Sequence, residues 1–276
     1  MITSIVIGSI TLSGTGSYVL NGVRGLELPP IRLASYDLAG ADFGRFVSSF
    51  FGRRRFALEG VVIGEDATDF IAKRNALIVA VGGSGGEQII TITTSDGRVL
   101  RIVAALAMFD FPPQAGIPAA AMFRAEFEAA VPFLESANAV AYSLTLPTGG
   151  GGKVPPDTMP MALAFGQGGS AFVTNAGNAP ALPTVRIAGP VTNPALRNNA
   201  TNQELSFDIV LVTGESLDVD FRQKTVTDHS GRNRFDTKGG DWWSLAPGVS
   251  EIRFVADSTD PAALVTLTVR DTYLGT

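Results

Sequence analysis

The chain has 276 residues and no cysteine. That absence excludes disulfides, thiol nucleophiles and Cys-ligated zinc, and it leaves the redox compartment open. A single histidine, His229, rules out multi-histidine metal motifs. Charged residues are scarce, at 17%. Neither half is basic: residues 1–150 carry 11 Lys+Arg against 13 Asp+Glu, and the remainder 10 against 13. A dedicated nucleic-acid binder needs a cationic footprint, and none is present. No apolar run approaches the ~18 residues of a membrane span. The first residues, Met1 to Gly8, lack the basic start and apolar core of a signal peptide. A soluble protein made in the cytoplasm, without membrane insertion, is expected.

What is present favours packed β structure. Hydrophobic residues make up 45%, and 31 glycines with 16 prolines supply the turns of an all-β fold. The stretch 142–158 holds four consecutive glycines and then Pro155-Pro156, which cannot bury a core. This places an N-terminal domain at 1–146, a linker at 147–157 and a C-terminal domain at 158–276. Both domains are of ordinary size.

In the first domain, Asn21-Gly22 and Asp96-Gly97 read as turns, and Gly52–Gly64 as a strand with a possible change of phase after Gly60. The spacing predicts one helix from Asp66 to about Val81. Asp66 caps it, and Ala67, Phe70, Ile71, Leu77, Ile78 and Val81 form its apolar stripe. Asp69 and Lys73 are spaced for an i,i+4 pair, and Gly82-Gly83 ends the helix. Pro112, Pro113, Gly116 and Pro118 force a loop. Phe123, Ala125, Phe127, Ala129 and Val131 then alternate with polar residues, as a half-buried strand does. The second domain shows only short strand signals and reads as a β-sandwich.

Candidate sites are few. Arg53-Arg54-Arg55 is the densest charge run, suited to DNA phosphates or to acids on a neighbouring subunit, although at the start of a strand the three alternate faces and an exposed strand end also accounts for them. Asp218 and Asp220 alternate with Leu217, Val219 and Phe221, so a solvated strand face accounts for them without calcium or glycosidase chemistry. His229 sits in Asp228-His229-Ser230-Gly231, which is turn chemistry rather than a catalytic triad. Trp242-Trp243 are the only tryptophans. On a strand one would be core and the other part-exposed, and an exposed ring is a candidate for stacking on a sugar. No phosphate-binding loop is complete, and no cofactor or metal is implied.

The order of short motifs resembles the distal tail proteins of long-tailed phages. In the first domain it comprises Tyr18–Gly22, Asp37–Gly44, Gly52–Arg55, Leu58-Glu59-Gly60 and Arg74 on the helix. In the second it comprises Asn175–Pro180, Pro183–Gly189, the turn Asp228–Asn233, and Trp242–Gly248. The resemblance implies a mainly β protein, with a barrel- or sandwich-like ring domain bearing one α-helix and a galectin-like C-terminal sandwich. It implies a non-enzymatic virion protein at the phage tail tip: a hexameric ring between the tail tube protein and the hub or receptor-binding proteins, with DNA only in transit through its channel. Arg53, Arg54 and Arg55 are then subunit-interface candidates. The alternative is a carbohydrate-binding protein acting through the C-terminal sandwich, with Trp242 and Trp243 as sugar contacts.

Overall fold

The structure is a computed structural model, which describes all residues except 41, 84, 112–118, 148–168 and 259. The proline-rich loop expected at 112–118 and nearly all of the expected linker lie outside the described residues.

The first compact unit spans Met1–Asn138 and Thr272–Thr276. Its strands are β1 (Ile2–Ile7), β2 (Ile10–Ser13), β3 (Tyr18–Arg24), β4 (Ile31–Asp37), β5 (Gly44–Phe51) and β6 (Arg54–Ile63), then helix α1 (Ala67–Gly82), β7 (Glu87–Thr94), β8 (Val99–Asp110), β9 (Ala120–Ala129) and β10 (Leu134–Ser136). Seven of them run in the order β8-β7-β1-β2-β3-β6-β9, and β9 pairs back onto β8, so the sheet closes into a barrel. Period-two alternation turns one apolar face of the strands inward. Ile5, Ile7, Leu12, Leu58, Ile90, Ile92, Ile102 and Phe127 are buried, and together they form one apolar core.

Helix α1 begins as expected: the Asp66 carboxylate accepts the Asp69 N–H at 2.8 Å. Its stripe is narrower than the spacing suggests. Leu77 and Val81 are fully buried, whereas Ile71 and Ile78 are exposed. The Lys73–Asp69 pair forms at 2.6 Å. In β6 the phase holds past Gly60, since Val62 is buried like Phe56 and Leu58. The irregularity falls on the facing strand, between Leu20 and Gly22.

The second unit spans Ala139–Asp271. It contains β11 (Val140–Thr145), β12 (Ser170–Asn175), β13 (Thr184–Ala188), β14 (Val191–Thr192), β15 (Ala195–Asn198), β16 (Gln203–Phe207), β17 (Val210–Leu211), β18 (Ser216–Asp220), β19 (Thr225–Asp228), β20 (Lys238–Gly240), β21 (Gly248–Val255) and β22 (Leu264–Val269). Two five-stranded sheets, β11-β22-β13-β18-β19 and β12-β21-β15-β16-β20, contribute to a single core. Leu217, Val185 and Leu267 from one sheet join Leu196, Phe207 and Phe254 from the other. That arrangement is a β-sandwich.

The compact units divide between Asn138 and Ala139, rather than at the expected 146. The reason is pairing: β11 runs antiparallel to β22, with Tyr142 opposite Leu267. The chain then returns. Its final strand, β23 (Thr272–Tyr273), pairs with β10 and so belongs to the first unit.

Candidate assembly site

Strand alternation splits the arginine run. Arg53 and Arg55 lie on the outer face of the barrel, about three-quarters exposed, and both bind Glu128, at 3.2 and 2.9 Å. Hydrogen bonds from Arg53 and then Arg55 hold the Glu128 carboxyl below its ordinary pKa. Alongside, Glu59 reaches Arg24 and Arg124, and Arg124 reaches Glu126 at 2.7 Å. This face is therefore a ladder of ion pairs within one chain. An open groove of about 460 Å³ lies along it, floored by Phe56, Ala57 and Met108.

Arg54 corrects the expectation that all three arginines are subunit-interface candidates. It is fully buried in its own domain. Its Nε donates to the Pro132 carbonyl at 2.6 Å, its Nη1 to the Gly25 carbonyl at 3.2 Å, and its Nη2 to the Leu274 carbonyl. Burial pushes its pKa down to about 10, and Glu27 opposes that shift, so the guanidinium stays charged at neutral pH. Its role is to join three backbone segments of the barrel. Strand alternation gives it the parity of buried Phe56 and Leu58.

Asp37 and Gly44, which bound one of the sequence motifs, pair at the ends of β4 and β5, a long hairpin that periodicity missed. Every residue of β4 is exposed, although three of its seven are Ile31, Leu33 and Tyr36. Period-two alternation reveals a strand only when one face is buried, and here neither is.

In the second domain, Trp243 is 3% exposed and Trp242 is half-buried. The expected division between the two rings is present, and burial removes Trp243 as a sugar contact. Phe221 packs between them, at 5.2 Å from Trp242 and 4.6 Å from Trp243. The Lys238 ammonium sits over the Trp242 ring at 5.6 Å. The two carboxylates of β18 do structural work. Asp218 takes two bonds from Arg186, at 2.7 and 2.8 Å, and Asp220 accepts from the Arg222 and Gln223 amides. The broad groove above them, about 660 Å³, is lined mainly by threonines and this ion pair. No aromatic ring is among its lining residues, so it lacks the apolar plane on which a sugar stacks.

His229 is exposed in a turn organised by its neighbour Asp228. The Asp228 carboxylate accepts from the Ser230 hydroxyl, the Ser230 and Arg232 amides, and Arg234 Nε. The Ser230 hydroxyl bond, foremost among these, holds its pKa far below the carboxylate range. Asn175 organises the first turn of the sandwich in the same way: its buried amide donates to the Ala179 and Leu245 carbonyls, and its oxygen accepts from Gly177.

Residues 176–273 match the family described as siphovirus-type tail component, C-terminal domain. Among solved structures, the crystal structure of phage SPP1 Dit (gp 19.1) is similar over 98% of each chain, with a TM-score of 0.65 and 16% identity. That protein is described as a paradigm of the hub adsorption apparatus in phages that infect Gram-positive hosts. A chain of the phage P2 baseplate, in its activated conformation with calcium, is similar over 97% of each chain, with a TM-score of 0.53 and 11% identity. The same baseplate with strontium gives a TM-score of 0.51 at 11% identity and the same coverage. No curated protein sequence matches the chain. The resemblance to distal tail proteins thus holds in sequence over residues 176–273 and in fold over nearly the whole chain.

Proposed function

We propose that this chain, whose second domain matches the siphovirus-type tail component family, is a structural protein of the distal tail of a long-tailed phage. It forms a hexameric ring that joins the tail tube to the tip or baseplate and lets DNA pass. The observation that carries this reading is the tail-component match of residues 176–273, set within a chain that follows the SPP1 Dit fold from end to end.

The barrel bears on the mechanism. Its interior is filled by Ile5, Ile7, Leu58, Ile92 and Phe127, so one copy has no pore. A DNA channel therefore has to be formed by several copies around an axis. Identical interfaces repeated about that axis close a ring without any chemistry. The role is mechanical, and the partners are a tube protein on one side and hub or receptor-binding proteins on the other. Arg53 and Arg55 remain exposed on the first domain and are available to a neighbour, on condition that Glu128 shares them.

Light scattering coupled to size exclusion, with negative-stain images of the main peak, tests the reading. A six-membered ring with a central hole is expected. A chain that stays monomeric alone and also fails to join a tail-tube end would overturn it.

A further inference from the structure

The chain passes between its two units at two peptide bonds, Asn138–Ala139 and Asp271–Thr272. The sandwich is therefore an insertion between β10 and β23. These two strands are neighbours in the sheet of the first unit, with Leu134 opposite Tyr273 and Glu135 opposite Thr272. Because they run antiparallel, both crossings leave from the same end of the strand pair.

The two strands are held unequally. β10 also pairs with β8, and Arg101 reaches Glu135 at 2.9 Å. Among the described residues, β23 has no sheet neighbour except β10. The rest of its hold comes from residues 272–276 taken together. Thr272 is buried, and the Arg98 guanidinium sits 5.4 Å over the Tyr273 ring. The Leu274 carbonyl accepts from Arg54, and the Thr276 amide donates to the Leu26 carbonyl at 3.2 Å. Gly275 lies so close to Glu27 that an added Cβ would stand 1.6 Å from the Glu27 carbonyl oxygen. Only glycine lets the segment seat there.

Arg54 ties both strands at once. Its Nε donates to the Pro132 carbonyl, just before β10, and its Nη2 to the Leu274 carbonyl, directly after β23. Both acceptors lie at the end of the strand pair away from the crossings. A displacement of the inserted domain is thus passed along two strands to one buried guanidinium.

A domain joined by one chain segment turns about that segment unless a large interface prevents it. A second segment removes much of that freedom, because both links must be satisfied together. We propose that residues 272–276 are a strap that gives the sandwich its second point of attachment, with Arg54 as the clasp. Seated, the strap holds the sandwich on two segments. Released, it leaves the sandwich on the Asn138–Ala139 link alone. The strap acts within one chain, whether or not copies form a ring.

The chain has no cysteine, so spin labels can be attached at two exposed positions only, Thr15→Cys in the barrel and Thr213→Cys in the sandwich. Pulsed electron resonance reads the distribution of distances between them, with labelled chain diluted into unlabelled chain. Hydrogen exchange reports whether residues 272–276 are seated. Two changes to the full chain are compared. Gly275→Val unseats the strap. An insert of about eight Gly-Ser residues between Asp271 and Thr272 leaves the strap seated and slackens its link. The parent is expected to give a narrow distribution. Each change is expected to widen it at least about twofold, since a flexible insert of that length spans about 15 Å. Exchange at 272–276 should rise for Gly275→Val and not for the insert. An insert that leaves the distribution as narrow as the parent's overturns the proposal, and so does a parent already as wide as the insert. Gly275→Val with the parent's protection at 272–276 overturns it as well. If circular dichroism shows that Gly275→Val unfolds the barrel, the insert decides alone.

Discussion

Replacing Arg54 by methionine removes the guanidinium and keeps the aliphatic stem, which isolates the three bonds to Gly25, Pro132 and Leu274. A hydrogen bond from a charged group contributes about 1.5 kcal/mol at the low end of its range, so three give about 4–5 kcal/mol. Relief of the guanidinium's desolvation returns part of this, and three carbonyls left without a donor take some of the relief away. The expected loss is about 3–4 kcal/mol, confined to the first domain. With a urea slope of about 2 kcal/mol/M, the midpoint falls by about 1.5–2 M. The assay has an internal control, because both tryptophans lie in the second domain. Far-UV circular dichroism follows both domains, and tryptophan fluorescence follows only the second. The early transition is expected in circular dichroism alone. Arg55→Met, at a side chain 79% exposed, should leave both midpoints in place. A midpoint shift below about 0.5 M for Arg54→Met, on the same slope, would refute the reasoning.

Gly25→Ala should destabilise the same domain by at least about 2 kcal/mol, measured by the same urea transition. Gly25 has φ +87°, and an added Cβ would stand 2.3 Å from the Arg55 carbonyl oxygen. In the second domain, Asp228→Asn should lower the melting temperature at neutral pH, read by tryptophan fluorescence. Because folding depresses the Asp228 pKa, its contribution is complete above the ordinary carboxylate value of about 3.9 and fades as pH falls toward the folded value. The gap between parent and variant should therefore be constant from about pH 5 to 8 and close only in stronger acid; a gap already closing near pH 6 would argue against it.

Legibility followed how local each signal was. The helix start needed only Asp66 and the next four residues, and its cap formed as spaced. Trp242 and Trp243 divide as expected, although for another reason: they lie between β20 and β21, outside any strand, and the packing of Phe221 sets which ring is covered. The domain division was misplaced because β11 is assigned by a partner more than a hundred residues away, and no local pattern reports Val140 opposite Val269. Ile71 and Ile78 fit the helix stripe by spacing, yet a stripe does not reveal how much of its width the barrel covers. The β4–β5 hairpin escaped notice because alternation is the imprint of a buried face, and this ribbon has none within its own chain. Alternation separates Arg54 from Arg53 and Arg55, but its burial depends on carbonyls of Gly25, Pro132 and Leu274, which no local pattern reports.

The return of residues 272–276 to the first domain sets an order of events during synthesis. The Leu274 carbonyl that Arg54 grips, and the strand that pairs with β10, leave the ribosome only after residues 139–271 have been made. Until then Arg54 lacks one of its three acceptors and β10 one of its neighbours. A nascent first domain is thus short of its final contacts while the second is being made. The last strand of the sandwich ends at Val269, before the residues the barrel still needs, so the barrel gains its full set of contacts only after the sandwich sequence has been made.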